Sequence, residues 1–284
     1  MILKRSMEGP LMSDVPHLTL NNGVQIPQLG FGVWQVPPDQ AAESVRLALD
    51  AGYRHIDTAA AYGNEEGVGQ AIRDSGVARE DVFVTTKLWN ADHGRAGEAF
   101  DVSLRKLGLD YVDLYLIHWP RPDQDRYVEA YRAMEKKLSE GRARAIGVSN
   151  FHQPHLEKLL ENTDVVPAVN QIELHPGFPQ EELRAFNAQH GILTEAWSPL
   201  GQGKGLLEDP QLTKIAGEVG RTPAQTVLRW HIQLGNIVFP KSVTPSRIRE
   251  NLEVFDFELT DDQMAAISAL PGGRIGANPE TATF

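Results

Sequence analysis

The fold is indicated by residues 111–149, YVDLYLIHWPRPDQDRYVEAYRAMEKKLSEGRARAIGVS. The runs Tyr111–His118 and Ala143–Ser149 are short and rich in β-branched and aromatic residues, which is typical of buried parallel strands. Between them, apolar residues recur at helical spacing from Tyr127 to Leu138. The stretch therefore predicts a strand, a helix and a second strand parallel to the first.

The same alternation extends along the chain. Six further strand-like runs are found, at Leu29–Trp34, Tyr53–Asp57, Val82–Lys87, Ala168–Leu174, Ile192–Trp197 and Ile237–Lys241. Eight strands that alternate with helices, without a linker between them, predict one α/β domain over residues 15–284. This domain is a closed (β/α)8 TIM barrel with a short C-terminal tail. Asn22-Gly23 predicts a β-hairpin ahead of the barrel, over residues 15–26. Residues 1–14 are expected to be a loose leader.

The competing architecture is a doubly wound open sheet, which normally carries a glycine-rich phosphate-binding turn after its first strand. Gly30-Phe31-Gly32 lacks the third glycine of that turn, and the sequence holds no Gly-Lys-Ser/Thr phosphate loop. The barrel is therefore favoured.

Composition excludes several classes of function. The 284 residues include 27 Lys+Arg and 38 Asp+Glu, giving a net charge of −11. This charge argues against nucleic-acid and anionic-membrane surfaces, and no apolar run approaches the roughly 18 residues of a membrane span. The absence of cysteine excludes disulfides, thiolate nucleophiles and cysteine-ligated metals. His152 and His155 lack a third ligand nearby, so no metal site is expected. We expect a monomeric cytoplasmic enzyme with a small-molecule substrate.

Ionisable side chains end three consecutive predicted strands. Asp57 ends the second strand, Lys87 the third and His118 the fourth, and Tyr62 follows shortly after Asp57. Each alone has a structural explanation, such as a helix cap, a solvated strand end or a buried imidazole. Because the carboxyl ends of barrel strands meet at one rim, where barrel enzymes keep their active sites, the combination predicts a catalytic site.

Specific motifs then point to a family. They are GYRHIDTAAAYGNE at 52–65, TKLWN at 86–90, LIHWP at 116–120, IGVSNF at 146–151 and PKSVTP at 240–245. Over about residues 18–278 the chain resembles the aldo-keto reductases, and within them the bacterial branch that includes the 2,5-diketo-gluconate reductases. The resemblance implies NADPH-dependent reduction of aldehydes and ketones. It also implies a catalytic tetrad of Asp57, Tyr62, Lys87 and His118.

The chemistry of these side chains agrees with that role. Carbonyl reduction needs a hydride at carbon and a proton at oxygen. The ordinary pKa of tyrosine, about 10, is high for an acid at neutral pH, and a neighbouring ammonium lowers it. We therefore expect Lys87 to lower the pKa of Tyr62, Asp57 to hold the lysine, and His118 to orient the carbonyl.

By the same resemblance, the later strands carry the cofactor residues. The nicotinamide would be bound by Ser149, Asn150, Gln171 and Trp197, and the pyrophosphate would be followed by Ser198, Leu200 and Gln202. Residues 241–247, KSVTPSR, enter a helix with two cations, and helix N-termini bind anions. This favours the 2′-phosphate of NADP over a bare ribose. The residues expected at the phosphate and adenine are Lys241, Ser242, Val243, Thr244, Arg247, Glu250 and Asn251.

Aromatic residues at strand ends suggest a substrate pocket. Its expected walls are Phe31, Trp34, Trp89 and Trp119. Only 14 residues follow Leu270, which predicts an open pocket that accepts varied carbonyls. Two other functions are considered. An NADP-binding regulatory protein can use the same barrel with little catalytic role. Double-bond reductases of the family usually replace the histidine with glutamate, so His118 disfavours that activity.

Overall fold

The computed structural model describes residues 15–284, and the expected leader, residues 1–14, lies outside them. The described chain begins with an antiparallel hairpin of β1 (His17–Thr19) and β2 (Gln25–Pro27). Leu20 and Ile26 of this hairpin are buried against apolar side chains of the main sheet. The hairpin thus covers the amino-terminal end of the barrel interior, and the predicted hairpin is confirmed.

Eight parallel strands follow one another round the sheet in chain order. They are β3 (Phe31–Gly32), β4 (His55–Asp57), β5 (Phe83–Leu88), β6 (Val112–Ile117), β7 (Ala143–Ser149), β8 (Val169–Glu173), β9 (Leu193–Trp197) and β10 (Ile237–Val238). A parallel bridge between Leu29 and Val238 joins the first edge to the last. Gly30 N donates to Val238 O at 2.9 Å, and Val238 N donates to Gln28 O at 3.0 Å. The predicted (β/α)8 barrel is confirmed.

At least one helix follows each strand of the barrel, as the periodicity predicts. They are α1 (Pro38–Ala51), α2 (Glu65–Asp74), α3 (Ala96–Leu107), α4 (Tyr127–Ser139), α5 (Gln153–Asn162), α6 (Glu181–Gln189), α7 (Pro210–Val219), α8 (Pro223–Gln233), α9 (Pro245–Glu250) and α10 (Asp261–Ser268). Local sequence sets their ends: Thr222 and Gln225 form a capping box at the start of α8. No helix within residues 15–284 is both long and apolar enough to cross a bilayer.

The barrel interior changes character along its axis. Towards the hairpin it is filled by apolar side chains, among them Phe83, Leu114 and Phe239. A Cβ on Gly30 would lie 2.6 Å from the Phe239 ring, so only glycine leaves room for that ring where the barrel closes. His55 packs on Phe83 and Phe239 within this layer. Towards the carboxyl ends of the strands, polar residues are also buried, among them Asp57, Thr85, Lys87, Gln171 and Glu195. Such burial needs internal hydrogen bonds, and it marks the region of the candidate site.

Candidate active site

A buried lysine lies at the centre of the rim formed by the carboxyl ends of β4 and β5. Lys87 is 0 % exposed. Its ammonium donates to Asp57 Oδ1 at 2.7 Å, to the carbonyl oxygen of Thr58 at 3.0 Å and to Tyr62 Oη at 3.5 Å. A short 3-10 turn, Ala60–Tyr62, follows β4 and carries the tyrosine back over the lysine. Three of the four predicted catalytic residues are therefore in direct contact.

The ionisation of this group differs in one respect from expectation. Burial lowers the pKa of Lys87, but the Asp57 carboxylate and Tyr62 outweigh burial, and the pKa is raised above its ordinary value. Burial raises the pKa of Tyr62 above its ordinary value, and the opposing charge of Lys87 does not reverse this. The expectation of a lowered tyrosine pKa is wrong, because loss of solvent outweighs the attraction of the ammonium. Tyr62 consequently keeps its proton at neutral pH.

The predicted histidine lies beside this group, directly after β6. The ring of His118 is edge-on to Tyr62, with centroids 5.6 Å apart, and edge-on to Trp89 at 5.5 Å. Burial, and then the charge of Lys87, lower the pKa of His118 well below its ordinary value, so the imidazole is neutral at pH 7. Its Nδ1 is buried and has no hydrogen-bond partner among residues 15–284. All four predicted residues share one rim.

The four residues predicted at the nicotinamide form one hydrogen-bond network. Asn150 has a left-handed backbone with φ of 63°. Its Nδ2 donates to the carbonyl oxygen of His118 at 2.9 Å, and its Oδ1 accepts from Trp197 Nε1 at 2.8 Å. Ser149 Oγ donates to the backbone oxygen of Gln171 at 2.8 Å. The strands β7, β8 and β9 are thereby tied to the histidine at the end of β6.

Gln171 also joins this network to the lysine group. Its Nε2 donates to Asp57 Oδ2 and to Glu195 Oε2, both at 2.9 Å. Glu195 was not among the residues predicted from the sequence. Its signal was the alternation along β9, which places Glu195 on the same face of the strand as Trp197, two residues later.

The loop after β9 carries the residues predicted along the pyrophosphate. Gln202 Nε2 donates to Ser198 Oγ at 2.6 Å. Leu200, which lies between these two residues in the sequence, is half-buried. Both polar residues have left-handed backbones, with φ of 53° for Ser198 and 52° for Gln202. The loop is held in a tight local turn that presents polar side chains.

The residues predicted at the phosphate lie at the start of α9. Ser242 Oγ accepts from Thr244 N at 3.0 Å, which shapes the turn into the helix. Glu250 Oε1 accepts from Thr222 Oγ1 at 2.7 Å. Of the other residues predicted in this group, Asn251 is buried, and the following are exposed: Lys241, Val243, Thr244 and Arg247. The two cations are thus free of salt bridges within residues 15–284 and face solvent.

The structure separates the four aromatic residues expected in the substrate pocket. Trp89 and Trp119 lie next to the histidine, whereas Trp34 is 44 % exposed. Phe31 differs from expectation: it is 1 % exposed and packs edge-on to Tyr53, with centroids 5.5 Å apart. The neighbouring glycines at positions 30 and 32 face Phe239, so the alternation of β3 turns the Phe31 side chain away from the barrel interior.

The C-terminal tail alters the expected open pocket. The ring of Phe284 stacks on Trp89, with centroids 6.1 Å apart, and lies edge-on to Trp119 at 5.2 Å. The backbone oxygen of Phe284 accepts from Asn90 Nδ2 at 2.8 Å and from Arg121 Nη1 at 2.7 Å. The expectation of an open pocket is wrong on this side, because a short tail can still reach the rim and cover it.

Comparisons with known proteins identify the family of the chain. The family model described as the aldo/keto reductase family matches residues 28–271. An aldo-keto reductase of Mycolicibacterium smegmatis is 57 % identical over 95 % of this chain and 98 % of the relative. The protein named methylglyoxal reductase DkgA of Escherichia coli is 51 % identical, with the same coverage of 95 % and 98 %.

A solved structure is similar over nearly the whole chain. The crystal structure of a Gox0644 mutant in complex with NADPH superimposes with a TM-score of 0.91, at 48 % identity, covering 96 % of this chain and 100 % of that one. The resemblance drawn from the sequence motifs is therefore confirmed, and the chain belongs to the aldo-keto reductase family.

Proposed function

We propose that this chain is an NADPH-dependent reductase of aldehydes and ketones, with residues 15–284 acting as one reductase domain and Tyr62 as the proton donor. The observation that carries the proposal is the buried ammonium of Lys87, which lies between the Asp57 carboxylate and the Tyr62 hydroxyl at the rim. A permanent charge beside a phenol, in a site shielded from water, stabilises the phenolate that forms when the phenol gives up its proton.

The residues present fit a nicotinamide cofactor. Gln171 Oε1 makes no hydrogen bond within residues 15–284, so it is an acceptor available to the carboxamide N–H groups. The half-buried indole of Trp197 is held by Asn150 and offers a ring for stacking. Lys241 and Arg247 supply charge for the 2′-phosphate. When bound, NADPH supplies the hydride, and the NADPH complex of the similar Gox0644 mutant supports this choice.

Each member of the tetrad then has a task. Tyr62 enters the reaction protonated and donates to the carbonyl oxygen as negative charge develops there. Lys87 stabilises the resulting phenolate, and Asp57 keeps the lysine charged and oriented. His118 is neutral, so it can donate a hydrogen bond to the substrate oxygen without bringing a second positive charge.

The proposal is tested by following NADPH oxidation with a panel of aldehydes and ketones, and by repeating the panel with NADH. Small dicarbonyls belong in the panel because relatives about half identical to this chain are named methylglyoxal reductases. Turnover with several carbonyls supports the enzyme. Tight NADPH binding without any turnover would instead support the regulatory function, and reduction of a conjugated double bond in preference to the carbonyl would overturn the assignment of His118.

The cofactor preference gives one prediction. Arg247→Ala is expected to reduce the preference for NADPH over NADH by about 10- to 100-fold, because one charge-assisted hydrogen bond to the phosphate is lost. The measurement is kcat/KM for both cofactors at constant ionic strength. Arg249→Ala, an exposed arginine of the same helix outside the proposed set, is the matched control. Equal losses in the two variants would contradict a specific phosphate contact.

The tail gives a second prediction. Phe284→Ala removes the ring that covers Trp89 and Trp119, so the KM for a small apolar aldehyde is expected to rise about 3- to 10-fold while kcat changes little. The KM for bulky aromatic aldehydes is expected to rise less. Steady-state kinetics with a size series of aldehydes provides the measurement, and an unchanged ranking of substrates would show that the ring lies outside the substrate path.

We also propose, from the acidic charge and the absence of cysteine, that the protein acts as a cytoplasmic monomer. Sedimentation equilibrium at micromolar concentration checks the oligomeric state.

A further inference from the structure

One buried carboxyl group has no place in the mechanism described so far. Glu195 lies on β9 and is 0 % exposed. In the barrel register it stands between Gln171 on β8 and Ile237 on β10. Its Oε2 accepts from Gln171 Nε2 at 2.9 Å, and its Oε1 is buried without a partner among residues 15–284. A buried carboxylate normally accepts hydrogen bonds from several donors. The single donor at Glu195 therefore indicates a protonated, neutral carboxyl group.

The Gln171 amide is held from both sides by carboxyl groups. Its two N–H groups point to Asp57 Oδ2 and Glu195 Oε2. Because Asp57 is ion-paired with Lys87 at 2.7 Å, it can only accept hydrogen bonds, and it must face an N–H of the amide. This arrangement fixes which end of the Gln171 amide is nitrogen, and leaves Oε1 as the atom available to a ligand.

The surroundings of Glu195 favour its neutral form. Burial raises the pKa of Glu195 to about 8, the charge of Asp57 adds to this, and the Gln171 hydrogen bond and the charge of Lys87 oppose it. The adjacent strand β10 contributes the apolar Ile237 at the same register. His55 on β4, which packs on Phe83 and Phe239, is neutral because burial lowers its pKa to about 3. At pH 7 the interior thus holds one ion pair and an uncharged glutamic acid.

We propose that Glu195 is a positioning residue for the cofactor: it shares the Gln171 amide with Asp57, and so holds Gln171 Oε1 in place as the acceptor for the nicotinamide carboxamide. This inference rests on the proposed function, because it takes Gln171 as a nicotinamide ligand. It adds a link between the cofactor site and the tetrad, since the same amide contacts both Glu195 and Asp57.

Ionisation of Glu195 has a consequence for the proton donor. A negative charge at Glu195 would offset part of the positive field of the Lys87 ammonium, so the phenolate of Tyr62 would be less stabilised. Turnover is therefore expected to fall as the pH rises through about 8, where Glu195 loses its proton. The pKa of Tyr62 lies above its ordinary value, so its own ionisation belongs to a higher pH.

Two variants separate the roles of shape and charge. Glu195→Gln keeps a carbonyl oxygen for the Gln171 amide but cannot ionise, whereas Glu195→Leu has a similar size and no acceptor. Glu195→Leu is expected to raise the Kd for NADPH about tenfold, the cost of one lost hydrogen bond. Glu195→Gln is expected to keep the wild-type Kd at pH 7 and to lose the fall in kcat between pH 7.5 and 9.

The measurements are NADPH binding by fluorescence titration, kcat from pH 6 to 10, and the carboxyl ¹³C NMR signal of labelled glutamate in the intact protein. A glutamate signal that titrates near pH 8 in wild type and is missing from Glu195→Gln supports the inference. An unchanged Kd for NADPH in a folded Glu195→Leu overturns the positioning role, and the absence of this signal, or a pH profile of Glu195→Gln that coincides with wild type, overturns the role of Glu195 ionisation. If Glu195→Leu does not fold, the Glu195→Gln profile and the NMR signal still decide.

The assay of Tyr62→Phe in parallel separates the two proposals. Full turnover in Tyr62→Phe would assign proton donation to another group and remove the proton-donor part of this inference, whereas no turnover of any carbonyl by the wild-type protein would remove the proposed function. Loss of turnover in Tyr62→Phe, together with wild-type behaviour in both Glu195 variants, would leave the function standing and remove the role of Glu195.

Discussion

Tyr62→Phe is expected to lower kcat for aldehyde reduction by at least ~10²-fold. The change removes only the hydroxyl that Lys87 contacts at 3.5 Å, so the ring keeps its edge-on contact with His118. Binding of NADPH is expected to remain within about twofold of wild type, because the phenol oxygen makes no contact with the residues proposed at the cofactor. Stopped-flow single turnover and fluorescence titration measure the two quantities separately.

A matched control is available on the opposite side of the sheet. Tyr131 on α4 is buried, and its hydroxyl has no hydrogen-bond partner within residues 15–284. Tyr131→Phe removes the same atom from a helix outside the strands, and full activity is expected because no hydrogen bond is lost. A Tyr62→Phe enzyme that turns over as fast as this control would assign proton donation to another group.

Lys87→Met is expected to harm both activity and stability. The variant leaves the Asp57 carboxylate, with its side chain 7 % exposed, without its charged partner. Removing one member of a buried ion pair costs about 3–5 kcal/mol of unfolding free energy. Turnover is expected to fall by at least ~10²-fold as well, because the phenolate of Tyr62 loses the positive charge that stabilises it. Urea denaturation and steady-state kinetics measure the two effects.

The double variant Asp57→Asn/Lys87→Met distinguishes these effects. Neutralising both partners removes the unpaired buried charge, so most of the lost stability is expected to return. Turnover is expected to stay low, since the ammonium beside Tyr62 is still missing. Recovery of activity together with stability would show that Lys87 serves the fold alone.

Much of the fold could be predicted because parallel barrel strands are buried on both faces. The run Tyr111–His118 became β6, and Ala143–Ser149 became β7 with the same bounds. The two strands beside the barrel closure were predicted longer than they are. Ile237–Lys241 shortened to Ile237–Val238, because the chain turns after the bridge to Leu29 and places Phe239 in the interior.

The predicted part of the candidate site consists of ionisable side chains at the ends of strands. Asp57, Lys87 and His118 lie within one residue of the carboxyl ends of consecutive strands, and the barrel brings such positions together. The side on which Phe31 lies could not be read from its aromatic character. It depends on which residues of a two-residue strand, β3, face inward. Side chains alternate between the two faces of a strand, and the glycines at positions 30 and 32 leave room in the barrel interior. This alternation would have predicted that Phe31 faces outward.

The ionisation of Tyr62 was predicted in the wrong direction for a physical reason. The sequence shows that an ammonium is near, but the balance between that charge and desolvation depends on distance and burial. Glu195 was missed for a related reason, since a glutamate in a strand is usually at the surface. Its burial follows from neighbours on β8 and β10 that are distant in sequence.

The sheet order places the residues proposed for proton transfer and those proposed for nucleotide binding in different sectors of the barrel. β4, β5 and β6 carry the former, and β7, β8, β9 and α9 the latter. Substitutions that retarget coenzyme choice should therefore combine additively with those that reshape aldehyde preference. Two contacts cross the boundary: Gln171 donates to Asp57, and Asn150 donates to the carbonyl oxygen of His118. Engineering can therefore treat the two specificities separately, provided that these two contacts are kept.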